Sequence, residues 1–408
     1  MPIQVFPTPS AGASYSSQPP ASASSVLLDG QLVTASSIST TVTGTGAPWL
    51  LYANGAGTTT ITIAGTPYTV TAGSTVGTSA YTGSQSVSVA AGFASTAPTT
   101  FTASTMPNAS LWYSVAYGNG YYVAVQQSGS TAGAYSTDGI SWTASTMPSA
   151  SVWLGVTYGN GKFVAVAGGP TTAGAYSTNG TTWTASTMSS STNWYSVTYG
   201  NGYYVAVAST GTAGSYSTNG TTWTASTMPS SSSWSFVTYG LIGSTNYYVA
   251  VQNSGTTAGA YSTNGTTWTA STMPGTQGWL GVAYGLVGST ATFVAVQGNG
   301  TTPGAYSTNG TTWTATTMPS ASAWYAVTYG NGYFVAVAGA TTAAAYSANG
   351  ITWTANTMPN ASSWGAITYG NGKFVAVQYS GSTAGAYYAF ASSLPVAYGI
   401  YNGATVRA

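Results

Sequence analysis

Few side chains in this sequence can do acid–base or nucleophilic chemistry. The charged ones are Asp29, Asp138, Lys162, Lys373 and Arg407, and there is no Glu, His or Cys among the 408 residues. Glycoside hydrolysis asks for two carboxylates at a set separation, and the two Asp lie in different regions of the sequence. Without His or Cys there is no thiol nucleophile, no imidazole base and no ordinary zinc ligand set. The expectation is a protein that is not an enzyme, with no catalytic residues, no metal and no cofactor. Three basic residues cannot supply the counterion release that drives nucleic-acid binding. No apolar run approaches the ~18 residues of a spanning helix, so neither nucleic acid nor membrane insertion is expected.

Neutral recognition chemistry is better represented. A set of Gln and Asn side chains with one Tyr, namely Gln126, Gln127, Gln252, Asn253, Gln297, Asn299, Gln378 and Tyr379, recurs in Gly/Ser/Thr-rich stretches. These groups both donate and accept hydrogen bonds and suit a glycan, which makes them the candidate ligand-binding residues. Seven Trp (112, 153, 194, 234, 279, 324, 364) also recur. They serve either as packing between repeats or as stacking faces for sugars.

The elements that must position these residues follow from a repeat. The phrase W-x-x-(V/I)-x-Y-G begins at each of those seven Trp, at separations of 41, 41, 40, 45, 45 and 40 residues. Each unit holds four short apolar or β-branched segments: W-x-x-V-x-Y-G, an x-(Y/F)-V-A-V run, A-G-A-Y-S and W-T-A-S-T. Asn-Gly ends the first segment in most units, a strong tight-hairpin signal. Units four and five carry LIGSTN and LVGSTA there instead, which lengthens that hairpin. Lys162 and Lys373 begin the second segment of their units. Four strands per ~40–45 residues is the signature of a propeller blade.

The last unit stops after its third strand at AGAYYAF, while TTFTASTMP (99–107) precedes the first unit with Phe101 in the Trp position. The sequence therefore predicts an all-β fold over 98–390: a seven-bladed propeller of four-stranded blades. The early strand completes blade seven and removes an open edge. Before it, a Pro/Ser-rich arm (1–24) runs extended or docks on a partner. Residues 25–97 read as a small β-sandwich or barrel, and 391–408 form a tail outside the ring.

Between the third and fourth strands stands Ser-Thr-(Asp/Asn)-Gly-x-x-Trp. Its six copies place Asp138, Asn179, Asn219, Asn264, Asn309 and Asn349 before Trp142, Trp183, Trp223, Trp268, Trp313 and Trp353. The Asx side chain can accept backbone N–H groups of its own turn, Gly supplies positive φ and Trp buries a flat surface. A site needing a carboxylate would not accept neutral Asn five times in six, so these residues are read as a structural staple. Four of the seven N-x-(S/T) sequons coincide with it (Asn179, Asn219, Asn264, Asn309), and the set is read as a by-product of composition.

The motif resembles the Asp box of sialidase-like (BNR) repeat propellers, of the kind found in bacteriophage tail-fibre and other virion proteins, in a shortened form. Sialidase activity in that family relies on an arginine cluster, a Tyr/Glu pair and an Asp acid, and here there is one Arg and no Glu. The start, MPIQVFPTPSAGAS, lacks a secretory n-region and h-region, although the composition suits an extracellular life. A virion protein, made in the cytoplasm and released by lysis, reconciles the two. The resemblance thus implies a virion structural protein, either tail fibre/receptor-binding or capsid-decorating. It would be anchored to other virion proteins through its N-terminal region, with a host surface glycan as the ligand of its propeller. The alternative is a bacterial surface or secreted adhesin. A surface with so little charge has little repulsion to keep copies apart, so a homo-oligomer or docked array is expected.

Overall fold

The computed structural model describes residues 3–5, 38–53, 58–63, 66–71, 75–89, 97–298, 303–390 and 398–402. They divide into two units, Ala97–Ala389 and a second made of Met1–Thr96 with Phe390–Ala408.

The larger unit is a ring of seven four-stranded antiparallel blades. Blade one runs Trp112–Gly118, Tyr121–Gln126, Ala132–Ser136 and Thr143–Thr146 in sequential order. Blades two to six repeat this. Blade seven takes Trp364–Gly370, Lys373–Gln378 and Ala384–Ala389 from the end of the unit and Thr102–Thr105 from its start, with Ala384 opposite Thr105 and Tyr387 opposite Thr102. Phe101 is buried beside Tyr388 at 6.1 Å between ring centroids. The closing strand is therefore the one the sequence predicts.

Sequence dictates the turns locally. Asn119 and Gly120 have φ of 47° and 80°, the pair of positive values that a two-residue type I′ hairpin needs. Blades four and five extend the same hairpin to Ile242↔Thr245 and Val287↔Thr290 before turning. Past their first residues the second strands, such as Tyr122–Val125, are buried, because neighbouring blades cover both of their faces.

Successive blades lock together at the end of the first strand. A Cβ at Gly118 would fall 1.9 Å from the Tyr158 ring. The same tyrosine-over-glycine contact repeats at Gly159–Tyr199, Gly200–Tyr239, Gly240–Tyr284, Gly285–Tyr329 and Gly330–Tyr369, and returns to blade one at Gly370–Tyr117. Where the second strand also carries Tyr, its hydroxyl donates across the same interface: Tyr122 to Gly370 O, Tyr204 to Gly159 O and Tyr248 to Gly200 O.

In the other unit, the described strands form one six-stranded sheet in the order Ile3–Val5, Tyr398–Asn402, Ile38–Ala53, Thr75–Val89, Thr58–Ile63 and Thr66–Thr71. The sequence reading of residues 25–97 as a small sandwich or barrel falls in part on residues outside those described. The described strands lie in a single sheet, which takes in Tyr398–Asn402 from the tail, paired parallel to Ile3–Val5 and antiparallel to Ile38–Ala53. Most of the 1–24 arm, and with it Asp29 and Arg407, lies outside the described residues.

Candidate functional site

Every first strand carries the same irregularity one residue after its Trp. Trp112 faces Gln126 and Ser114 faces Val125, so Tyr113 between them has no cross-strand partner. The equivalent bulges fall at Leu154, Tyr195, Ser235, Leu280, Tyr325 and Gly365. A β-bulge re-aims the extra side chain. Here all seven extra residues line one cavity of about 270 Å³, together with Asn253 and Tyr379 from the loops after the second strands. That is near the lower end of the ~300–1,000 Å³ typical of ligand pockets, room for one small group.

Four tyrosines dominate the cavity. Tyr113 and Tyr195 are hydroxyl-to-hydroxyl bonded, with rings 5.8 Å apart at 88°. Tyr379 lies 5.8 Å from Tyr113 and 5.6 Å from Tyr325. Close backbone approach makes room for them. A Cβ on Gly339 would meet the Tyr325 ring at 2.0 Å, and one on Gly365 would meet Tyr379 at 2.7 Å. Blade seven thus inverts the arrangement of blade six: the bulge residue is Gly and the large ring comes from the loop.

No charged residue lines the cavity. Burial pushes the Tyr113 hydroxyl well above its ordinary pKa, and the neighbouring Tyr195 adds to the shift. Burial likewise raises Tyr195, against the opposing hydrogen bond from Tyr113. It raises Tyr379 too, with Tyr325 adding to the effect. Tyr113, Tyr195 and Tyr379 are therefore neutral at physiological pH. They offer aromatic faces, O–H donors and lone pairs, and no carboxylate stands beside them in the lining. Among the described residues no cluster of metal-ligating side chains occurs.

The sequence-derived ligand set is placed as follows. Asn253 is exposed and Tyr379 half-buried, and both line the cavity; Gln127 is half-buried in the corresponding loop of blade one. Gln126, Gln252, Gln297 and Gln378 are fully buried. Three of them brace the loop that follows. Gln126 Nε2 donates to Ser130 O at 2.9 Å, Gln252 Nε2 to Thr256 O at 2.6 Å and Gln378 Nε2 to Ser382 O at 2.7 Å. Each Oε1 accepts the N–H two residues on. Asn299, in the loop after Gln297, lies outside the described residues.

The seven unit-opening Trp are completely buried. Each indole N–H donates to the carbonyl four residues earlier, from Trp112 to Asn108 O (3.3 Å) through Trp364 to Asn360 O (3.3 Å). Of the two roles open to them in the sequence, packing is the one the structure gives, and no face is left for sugar stacking.

The staple is built as its residue types require. Asp138 Oδ1 accepts the N–H groups of Ile140 and Ser141, both at 2.8 Å. Asn179 Oδ1 accepts those of Thr181 and Thr182 at 3.0 Å. Asn219, Asn264, Asn309 and Asn349 repeat the arrangement. The Gly that follows has φ between 72° and 75° at all six positions. It packs on the preceding blade, where a Cβ on Gly139 would meet Val375 at 2.6 Å. Trp223 is buried, and Trp142, Trp183, Trp268, Trp313 and Trp353 are half-buried. Burial pushes the Asp138 carboxyl up, but the Ile140 and Ser141 N–H groups and the Ser136 hydroxyl outweigh it, so its pKa is lowered. Lys162, at the start of its second strand, donates to Asn219 O in the staple of the next blade at 3.1 Å and lies over the Tyr176 ring.

Sequence reasoning missed the bulge residues. A signal existed: in W-x-x-(V/I)-x-Y-G the residue after Trp reads Tyr, Leu, Tyr, Ser, Leu, Tyr, Gly, while Trp, Tyr and Gly around it are invariant among the seven units.

No protein-family model matches this sequence, and no curated protein is similar to it. Solved structures are similar in fold. A virginiamycin B lyase from Staphylococcus aureus superposes with a TM-score of 0.61 at 15% identity, covering 71% of this chain and 98% of its own. A streptogramin B lyase gives 0.60 at 14%, covering 70% and 97%. YCF48 from Cyanidioschyzon merolae gives 0.54 at 15%, covering 71% and 98%. At these identities the likeness establishes the β-propeller and nothing finer.

Proposed function

We propose that this protein is a non-enzymatic bacteriophage virion component, tail fibre/receptor-binding or capsid-decorating. In this reading its axial cavity captures a small, neutral, hydroxyl-rich group, such as the terminal sugar of a host surface glycan. One observation carries it: the seven bulged residues, which read Tyr, Leu, Tyr, Ser, Leu, Tyr and Gly from unit to unit, converge on one cavity. A differing lining on a repeated scaffold is what a recognition site needs and a spacer does not. Phenol faces stack on the C–H face of a sugar, and phenol hydroxyls with the Asn253 amide supply neutral hydrogen bonds. The virion setting rests on the Asp-box-like repeats and the near absence of charge. In that setting the N-terminal unit contacts other virion proteins, and copies self-associate or dock in arrays.

The test is a sugar titration followed by intrinsic Trp and Tyr fluorescence, with mass spectrometry of purified particles. Saturable binding, abolished in Asn253→Ala/Tyr379→Ala, is expected, together with the protein's presence in the particles. Binding indifferent to those substitutions removes the site. Absence from particles and presence on a bacterial surface replaces the virion reading with the adhesin. Two structural neighbours bear the name of a lyase, so cleavage of a streptogramin B by this protein would overturn the non-enzymatic reading.

A further inference from the structure

Among the described residues, the Asn-Gly dipeptides of the ring fall into two structural classes with opposite chemical fates. The first class is the hairpin between strands one and two: Asn119-Gly120, Asn160-Gly161, Asn201-Gly202, Asn331-Gly332 and Asn371-Gly372, each Asn at positive φ. In blades one, two, three and seven both residues are exposed, and in blade six both are half-buried. At Gly120, Gly161, Gly202 and Gly372 nothing stands within 4 Å of the place a Cβ would occupy. No hydrogen bond from these Gly N–H groups is found among the described residues. The second class is the staple. There the Gly is buried, and its N–H is held by a Ser hydroxyl: Gly180 by Ser177 at 2.8 Å, Gly220 by Ser217 at 2.9 Å, Gly265 by Ser262 at 2.8 Å, Gly310 by Ser307 at 2.9 Å and Gly350 by Ser347 at 2.8 Å. The staple Asn oxygens are also engaged, by two backbone N–H groups each.

We propose that the hairpin Asn residues are sites of spontaneous deamidation, and that the staple Asn residues are protected from it. The Gly backbone nitrogen attacks the Asn Cγ, a new C–N bond forms, and the bond from Cγ to the amide Nδ2 breaks. The backbone proton leaves with the departing amino group as ammonia. Water then opens the five-membered imide at either carbonyl, giving Asp or isoaspartate. The reaction needs an attacking nitrogen that can lose its proton, an unhindered neighbour and water, and the hairpin supplies all three. The staple withholds the nitrogen. It also buries the Gly that would become part of the imide.

The consequence for this protein is electrostatic. It carries a formal charge of +1, and conversion at the four exposed hairpins carries that to −3. Blades six, seven, one, two and three are consecutive around the ring, whereas blades four and five have LIGSTN and LVGSTA in place of Asn-Gly. The new carboxylates therefore form an arc over one part of the end carrying the strand one–two hairpins, with a neutral gap at Leu241 and Leu286, both exposed. A protein released with almost no charge acquires mutual repulsion as it ages.

The experiment is incubation of the full-length protein at mildly alkaline pH, with isoelectric focusing and chymotryptic peptide mapping. A synthetic TYGNGYY peptide serves as a reference for the unconstrained rate. Conversion at Asn119, Asn160, Asn201 and Asn371 is expected first, Asn331 more slowly, with Asn179, Asn219, Asn264, Asn309 and Asn349 retained. Ser177→Ala releases the Gly180 N–H and should raise conversion at Asn179 alone among the staples. Staple Asn converting as fast as hairpin Asn overturns the proposal. So does retention of the hairpin Asn while the reference peptide converts fully, or a Ser177→Ala protein that keeps its melting temperature with no change at Asn179.

Discussion

A single side-chain oxygen organises each staple, and its charge is incidental. Asp138 and the five Asn make the same two backbone contacts, at 2.8–3.0 Å for Asp138 and Asn179. Asp138→Asn should accordingly change unfolding free energy by no more than about 0.5 kcal/mol, read from urea denaturation at neutral pH. What Asp138 adds is a small acid-side dependence. Its folded pKa is lowered, so its contribution is present above the ordinary carboxylate range, is lost as pH falls through the folded value, and disappears in the Asn variant. The buried Trp behave differently. Trp112→Ala removes a fully buried ring and its indole hydrogen bond, and should cost about 3–5 kcal/mol in the same assay.

The tyrosines set the alkaline limit. Burial raises Tyr122, Tyr204 and Tyr248, and pushes Tyr369 up to about 12. The folded state favours the neutral phenol, so this stability is complete below the ordinary Tyr pKa of ~10 and is lost as pH rises through the raised values. Lacking His, Glu and Cys, the protein should show a flat melting temperature between about pH 5 and 9 and a steep fall above about pH 10. A slope near pH 6–7 would contradict this reading.

Among the elements, what was legible in the sequence was whatever repeats. Trp-to-Trp spacing gave the blades, Asn-Gly gave the hairpins, and Phe101 in the Trp position gave the closing strand. What repeats with variation was harder to read. Gln126, Gln252 and Gln378 looked like free polar groups, because a period-two strand pattern does not show where a strand stops. In the fold their amides are consumed by the loops they open. The Q-x-S-G pattern at 126–129, 252–255 and 378–381 was the available clue. The bulge after Trp leaves only a faint mark in residue types: Tyr, Leu, Ser and Gly all occupy it, between an invariant Trp and an invariant Tyr-Gly. It comes from the register of two strands, which sequence specifies only through the packing of both faces. Gly339 and Gly365 show how that register is used. Gly339→Ala should displace Tyr325 and weaken sugar binding several-fold while shifting the melting temperature little. Unchanged binding would separate Tyr325 from the site.

For the whole molecule, closure is the property most dependent on distant residues, because Thr102–Thr105 and Ala384–Ala389 are brought together from opposite ends of the ring unit. The sequence has no Cys, so a pair introduced at the register partners Ala103 and Ala386 reports on closure without background. Directly opposed residues lie within disulfide reach. The Ala103→Cys/Ala386→Cys protein should oxidise without distortion and gain about 2–4 kcal/mol, lost again on reduction. Failure to cross-link in the folded protein would mean the ring closes otherwise.

Seven bulged residues line one cavity, and the proposed role of that cavity in recognition can be read from glycan-array binding of the wild-type protein beside the Asn253→Ala/Tyr379→Ala variant, with melting temperatures matched. Selective binding to glycans sharing one neutral terminal sugar, lost in the variant, is expected. Binding of equal strength in both proteins, or none to any glycan by the wild type, would contradict it.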